Sequence, residues 1–216
     1  MTTTIAIASG KGGVGKTTIS VNLSLSLALQ NKETLLLDAD LGMANSHILL
    51  GINPKFTLDD FVTGKSSIDD VITITKDKLK FISGGSAINN LLNLSDLERH
   101  KIIQSFNNIK KRPEYMLIDV GEGAEDSSMS FMASSDKIII VLTGEPTSFI
   151  DAYSLIKAAF LDYKINNFGI VLNMTVSEMQ AKLNFNKFQS ITQKFLDVNL
   201  KYLGHVNSSQ KIRNSI

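Results

Sequence analysis

The run Gly10-Lys11-Gly12-Gly13-Val14-Gly15-Lys16-Thr17-Thr18 narrows what this chain can fold into more than any other stretch. It fits G-x-x-x-x-G-K-[ST], with a β-rich segment before it at Thr4–Ala8 and an amphipathic segment after it at Thr17–Gln30. A polyphosphate must come close to backbone, so side chains are absent and successive N–H groups converge into an anion nest. The following helix adds the partial positive charge of its amino terminus. Lys16 can reach the β and γ phosphates, and the Thr17 hydroxyl can complete a Mg²⁺ shell. A glycine-rich turn that merely opens a helix needs none of this agreement between motif, context and position. The expected site is for a nucleoside triphosphate, contacted by Gly12, Gly13, Val14, Gly15, Lys16, Thr17 and Thr18.

The rest of the pattern alternates short β-rich runs with helical stretches, without repeats or a low-complexity linker. It predicts an α/β fold: a mostly parallel central sheet with helices on both faces, in a single domain over residues 1–216. Expected strands are Thr4–Ala8, Thr34–Asp38, Leu79–Ser83, Tyr115–Asp119, Lys137–Thr143, Phe168–Leu172 and Lys201–Gly204. One helix sets Ile19, Leu23 and Leu27 on a single stripe. Another opens at Ser95 with Glu98 three residues on, a capping-box signature, and ends before Pro113. A third begins near Ser148 and continues through Leu161. Ligands in such sheets bind beyond the carboxyl ends of the strands, which is where Asp38–Asn45, Gly84-Gly85-Ser86, Asp119–Gly123, Thr143–Thr147 and Asn173 fall.

Composition excludes several chemistries. There is no cysteine, hence no disulfide, thiolate nucleophile, cysteine zinc site or iron–sulfur cluster. Lys+Arg 22 against Asp+Glu 21 gives a net charge of +1, which lends no support to DNA as the main partner. No signal peptide and no membrane-length apolar run is visible, so the expected address is cytoplasmic.

Asp38 and Asp40 follow a strand beside the phosphate loop, where carboxylates can order water on Mg²⁺ or orient an attacking water. Read alone, they fit a cap on the next helix equally well. Asn173 reads alone as a turn asparagine. Met129, Phe131, Met132, Phe185 and Phe188 read as helix faces in the core, and Lys110-Lys111-Arg112 as a solvated helix end. His47, His100 and His205 lack metal-ligand spacing.

With Lys11, the loop K-G-G-V-G-K-T-T resembles the deviant Walker motif of the MinD/ParA family of P-loop ATPases, and Asp38-Ala39-Asp40-Leu41-Gly42-Met43-Ala44-Asn45 resembles its first switch. The resemblance spans roughly Thr4 to Ile212. It implies ATP and ADP as ligands, Mg²⁺ as cofactor, and an ATP-dependent face-to-face homodimer. In that dimer Lys11 would touch the partner's phosphates, as an arginine finger does, an effect worth roughly 10³–10⁵ in rate. It further implies Asp40 as the group positioning the hydrolytic water, Asp38 and Asp119 on the Mg²⁺ water shell, Asn173 on the adenine edge, and Glu145 close to the nucleotide or the dimer partner.

Two segments depart from the family pattern. D-T-G-A-G or D-T-A-P-G is usual where this chain has Asp119-Val120-Gly121-Glu122-Gly123. Like charges ~5 Å apart at an effective dielectric of 20 repel by roughly 3 kcal/mol, about a hundredfold in ATP affinity. Glu122 is therefore expected to point away, to pair with a base, or to make this switch unusual. The proline–x–aspartate that lines the base in the family reads Asn207-Ser208-Ser209 here.

Leu35–Asn45, Gly51–Asp60, Asn93-Leu94-Ser95 and Gly144–Tyr153 resemble the branch that regulates flagellar number and placement, FlhG or FleN. That branch implies a protein partner such as the flagellar GTPase FlhF. Its activator segment is not seen before the first strand, and no amphipathic stripe follows Gln210, so membrane contact would require a C-terminal amphipathic helix beyond this sequence. Competing readings are an ATP-binding interaction module with little hydrolysis, and a MinD- or ParA-type ATPase of cell division or DNA partition.

Overall fold

A computed structural model describes residues 1–40, 45–85 and 96–209, with the backbone alone at 96–100. The Ser95–Glu98 cap, Ser86, the 41–44 stretch of the expected switch, the Asn93–Ser95 stretch and everything from Gln210 onward lie outside the described residues.

The chain begins with β1 (Thr3–Ser9), the phosphate loop and α1 (Lys16–Leu29). Next come β2 (Thr34–Ala39), α2 (Ser46–Leu49), α3 (Leu58–Val62), β3 (Thr73–Ile74) and β4 (Lys80–Ser83). After α4 (Asp96–Ser105) and a 3₁₀ turn at Phe106–Asn108 follow β5 (Tyr115–Glu122), α5 (Asp126–Ala133) and β6 (Lys137–Leu142). The last described elements are α6 (Pro146–Tyr163), β7 (Asn167–Thr175), α7 (Glu178–Thr192) and β8 (Asn199–Asn207). Among the described residues the strands form one eight-stranded sheet in the order β3-β4-β2-β5-β1-β6-β7-β8. All pairings are parallel except β3 with β4. At two residues, β3 was too short to register as an alternating run.

The strands bury both faces, as their continuous apolar runs predict. Ala6, Leu35, Leu37, Met116, Ile118 and Ile140 pack into the core shared with α5, α6 and α7, while Ile7, Leu36, Leu117 and Val141 pack into the core under α1. Phe185 and Phe188 of α7 and Met129, Phe131 and Met132 of α5 are buried as expected. On α1 the deepest face is Ser20, Val21, Ser24 and Ala28, whereas Ile19, Leu23 and Leu27 are only partly buried along its flanks. Small residues let the helix axis approach the sheet, and the Ser24 hydroxyl is satisfied inside the helix by donating to the Ser20 carbonyl at 2.7 Å.

Helix α6 starts two residues earlier than Ser148, because Pro146 occupies its first turn with φ preset for a helix. It ends with Lys164 in the left-handed region at φ 59, where Lys164 N–H donates to the Phe160 carbonyl and Ile165 N–H to that of Ala159. Lys110, Lys111 and Arg112 are exposed just past the 3₁₀ turn, and Arg112 Nη2 donates to the Asn107 carbonyl at 2.6 Å.

Candidate functional site

From β1 the chain crosses to β2 on one side of the sheet and later fills β6, β7 and β8 on the other, with β5 inserted beside β1. The carboxyl end of β1 therefore faces the crevice where the winding reverses, and the phosphate loop lies there. Gly15 adopts φ 84, a left-handed value that turns the loop into α1, and Gly13 does the same at φ 75. Gly10 is required for closeness: a Cβ there would collide with the Asp151 carbonyl of α6 and the Ala152 nitrogen. Gly12 and Gly13 are exposed at the lip, Val14 is buried, and Thr17 and Thr18 lie in the first turn of α1.

Lys16 is buried and its ammonium lies 2.8 Å from Asp119 Oδ1. Ser20, one helical turn on, brings its hydroxyl within 2.9 Å of the same oxygen. Asp119 is fully buried, and among the described residues its Oδ2 has no hydrogen-bond partner. Asp38 is its register partner across β2 and β5. Burial first, then the charge of Asp119, pushes the Asp38 carboxyl up to about 6. Asp38 also accepts hydrogen bonds from the Ser46 N–H at 2.9 Å and the Asp40 N–H at 3.3 Å. Asp38 thus accepts an N–H at the start of α2, as the capping reading expects, while standing in register with Asp119. Asp40 sits at the end of the strand, half-buried.

Lys11 leans toward α6, with its ammonium 3.5 Å from Glu145 Oε2 and 3.2 Å from Thr147 Oγ1. Asn173 lies inside β7, not in a turn, and its Nδ2 donates to the Val14 carbonyl at 2.7 Å. Strand pairing decides this, because β7 continues past Asn173 to Thr175 alongside β8. Thr175 Oγ1 in turn lies 3.1 Å from Asn207 Oδ1, and its carbonyl accepts the Ser208 N–H, so the unusual Asn207-Ser208 segment is tied to the end of β7.

Val120 is fully buried in the core and carries β5 beyond Asp119 to Glu122, three residues farther than expected. A β-branched side chain extends a strand where a more polar residue would favour a turn. Glu122 does not point away. Its carboxylate lies against Gly12, where any Cβ on that glycine would meet it. Ser20, Thr147 and Glu122's contact with the loop were not legible in sequence. Ser20 alone left a trace, as a hydroxyl one turn after Lys16 on a helix face meant for the core.

The site can therefore bind a polyphosphate through a nest of N–H groups, a lysine and a helix terminus. Hard oxygen donors suited to Mg²⁺ converge beside it, and the buried Oδ2 of Asp119, unpartnered among the described residues, fits a cation. Among the described residues no cluster of three or more histidine, aspartate or glutamate side chains forms a protein-only metal cage. Mg²⁺ does not need one, since it keeps several waters and shares phosphate oxygens.

The ParA family model, described as an NUBPL iron-transfer P-loop NTPase, matches residues 1–216. With no cysteine in the sequence, the iron-transfer part of that description has no thiolate ligand here. The antiactivator FleN of Pseudomonas aeruginosa is 36% identical over 212 residues, covering 98% of this chain and 76% of that protein. The flagellum site-determining protein YlxH of Helicobacter pylori is 27% identical over 210 residues, covering 97% and 71%. Among solved structures, the septum site-determining protein MinD complexed with Mg-ADP from Pyrococcus horikoshii superposes with a TM-score of 0.76 at 28% identity, covering 100% of this chain and 85% of that one. Loop, paired carboxylates, sheet order and these likenesses agree: the chain belongs to the MinD/ParA family of P-loop ATPases.

Proposed function

We propose that this single-domain chain hydrolyses ATP with Mg²⁺, pairs face to face with a second copy when it holds ATP, and in that form regulates the number or placement of flagella. The observation that carries the reading is the buried pairing of Lys16 with Asp119 at the phosphate loop, with Asp38 in register beside it. In the free chain the Asp119 carboxylate stands where a phosphate oxygen would lie on the Lys16 ammonium. An incoming polyphosphate competes for that ammonium and frees Asp119. Asp119, Asp38 and the Thr17 hydroxyl are the residues that would hold Mg²⁺. Bound there, the ion neutralises charge on the β and γ phosphates. Asp40 orients the attacking water from the end of β2. Lys11, exposed at the lip, leaves Glu145 and Thr147 and supplies positive charge to the second copy's phosphates. The Asn173 amide, near the base, braces the loop through Val14.

The flagellar role is supported by the relatives named FleN and YlxH, which match nearly the whole chain. A protein partner such as the GTPase FlhF would read the ATP-bound pair. Among the described residues no helix is long and apolar enough to cross a membrane.

Size exclusion coupled to light scattering tests the switch, run without nucleotide, with ADP, and with ATP in an Asp40→Ala background. The expected result is a dimer with ATP alone, lost on Lys11→Ala. A monomer in all three conditions, with ATP binding demonstrated separately, overturns it. The carboxylate of Glu122 against Gly12 favours a second reading, an ATP-binding module with little hydrolysis. Single-turnover cleavage separates the two: a rate no higher than that of Asp40→Ala selects the module.

A further inference from the structure

Glu122 is an exposed carboxylate resting on the backbone of the phosphate loop at Gly12, and no ion pair or hydrogen bond is found for it among the described residues. Three other acidic groups at this site have a defined counterpart: Asp119 has Lys16, Asp38 has the Ser46 N–H, and Glu145 has Lys11. The placement is fixed by the strand, because Val120 anchors β5 in the core and Ser9 and Glu122 are register partners. The Gly123 N–H, donating to the Ser9 carbonyl at 2.9 Å, closes the segment onto the start of the loop. The carboxylate thus hangs over the entry side of a nest built to hold anions.

We propose that Glu122 sets the nucleotide preference of this site, disfavouring the triphosphate relative to the diphosphate in the isolated chain until the Lys11 of a second copy covers its carboxylate. This rests on the ATP-switch reading above. A diphosphate would sit on the loop N–H groups and the α1 terminus, and a γ phosphate would add further negative charge to a loop on which Glu122 already rests. The chain's own Lys11 cannot relieve the repulsion while it is held on the α6 side by Glu145 and Thr147. A second copy facing the loop presents its Lys11 to the same lip. Triphosphate binding and pairing would then reinforce each other through one carboxylate, a coupling that is reciprocal by linkage. Solvent screening at an exposed side chain limits the discrimination to about tenfold.

The test is titration of Mg·ADP and of the non-hydrolysable triphosphate Mg·AMPPNP at protein concentrations where the chain is monomeric, for wild type, Glu122→Gln and Glu122→Ala. In the wild type the triphosphate is expected to bind about tenfold more weakly than the diphosphate. Both variants should remove that gap while leaving diphosphate affinity within about twofold. Repeating the wild-type titration at high protein concentration should tighten the triphosphate alone, and Lys11→Ala should abolish that gain. An unchanged triphosphate-to-diphosphate ratio in both variants overturns the proposal. Failure of the wild type to bind either nucleotide instead overturns the ATP-site reading on which it rests. Circular dichroism melting of both variants verifies that the exposed substitution leaves the fold intact.

Discussion

Lys16 and Asp119 form an ion pair at 2.8 Å with 8% and 0% of their side chains exposed, and they stand 103 positions apart in sequence. Two ions removed from water are tolerated only if geometry and further hydrogen bonds compensate. Here the Ser20 hydroxyl supplies one such bond, and among the described residues the second oxygen of Asp119 has none. On the proposed reading, Asp119 holds the lysine that a phosphate would take.

Breaking that pair strands a buried charge. Lys16→Ala or Asp119→Ala should each lower the unfolding free energy of the nucleotide-free protein by about 3–5 kcal/mol. The double variant should cost clearly less than the sum, because no unpaired ion remains. Urea denaturation of the four proteins measures this, and strict additivity would show that the two side chains are not coupled.

Asp38 gives the apo protein a pH dependence of definite sign. Its folded value of about 6 exceeds the ordinary 3.8, so within that window the folded state holds a proton that the unfolded chain releases. Its contribution to stability therefore falls as pH rises from about 4 to about 6 and is fully unfavourable above that. The cost is roughly 3 kcal/mol at most. Asp38→Asn should be relatively more stable at pH 7 than at pH 4.5, and a constant difference from wild type across that range would contradict the burial argument.

Two loop glycines should fail for different reasons. Gly10→Ala drives a methyl group into the Asp151 carbonyl, an overpacking that costs about 1–3 kcal/mol and shifts the loop. Gly13→Ala meets no atom of the described residues within 4 Å but must hold φ 75, at a cost of roughly 1–2 kcal/mol. Thermal melts of the nucleotide-free proteins should rank Gly10→Ala at or below Gly13→Ala, and a neutral Gly10→Ala would mean that α6 yields to the loop.

Asn173→Ala removes the buried bond to the Val14 carbonyl. Loss of about 1–2 kcal/mol of stability is expected, together with weaker ADP binding as the loop loses its brace. Asn173→Asp should be worse, since a carboxylate would face a carbonyl oxygen. Calorimetric titration with ADP follows both.

Exposed contacts should matter little to folding. Glu145→Ala breaks a 3.5 Å pair whose side chains are 42% and 66% exposed, so stability should move by less than about 1 kcal/mol. A larger change in the melting curve would mean that Glu145 holds the first turn of α6 in some further way.

Much of the architecture was readable because it is written in local pattern. Continuous apolar runs announce strands covered on both faces, and β1, β2, β4, β6 and the central parts of β7 and β8 fall where those runs stand. The glycine loop announced itself because close backbone approach to an anion leaves few residue choices. Strand ends were less legible: β5 outran its expected end because Val120 and Glu122 find partners in β2 and β1 that no local window contains. On α1 the expected stripe was displaced because small residues, not large ones, face a sheet that lies close.

By itself the sequence determined the fold class and the phosphate loop with Lys16, since that loop's spacing is local, whereas Lys11, Asp38, Asp40, Asp119 and Asn173 were singled out by resemblance to a family. Only the tertiary structure decided who meets whom. Parallel pairing of β2 with β5 sets Asp38 beside Asp119, and the descent of α1 onto the sheet brings Lys16 and Ser20 to one carboxylate oxygen. The continued strand lays Glu122 over Gly12, 110 positions away in sequence. Local spacing can specify which side chains an element offers, but distances across a sheet depend on register and packing, which exist only once the whole core has formed.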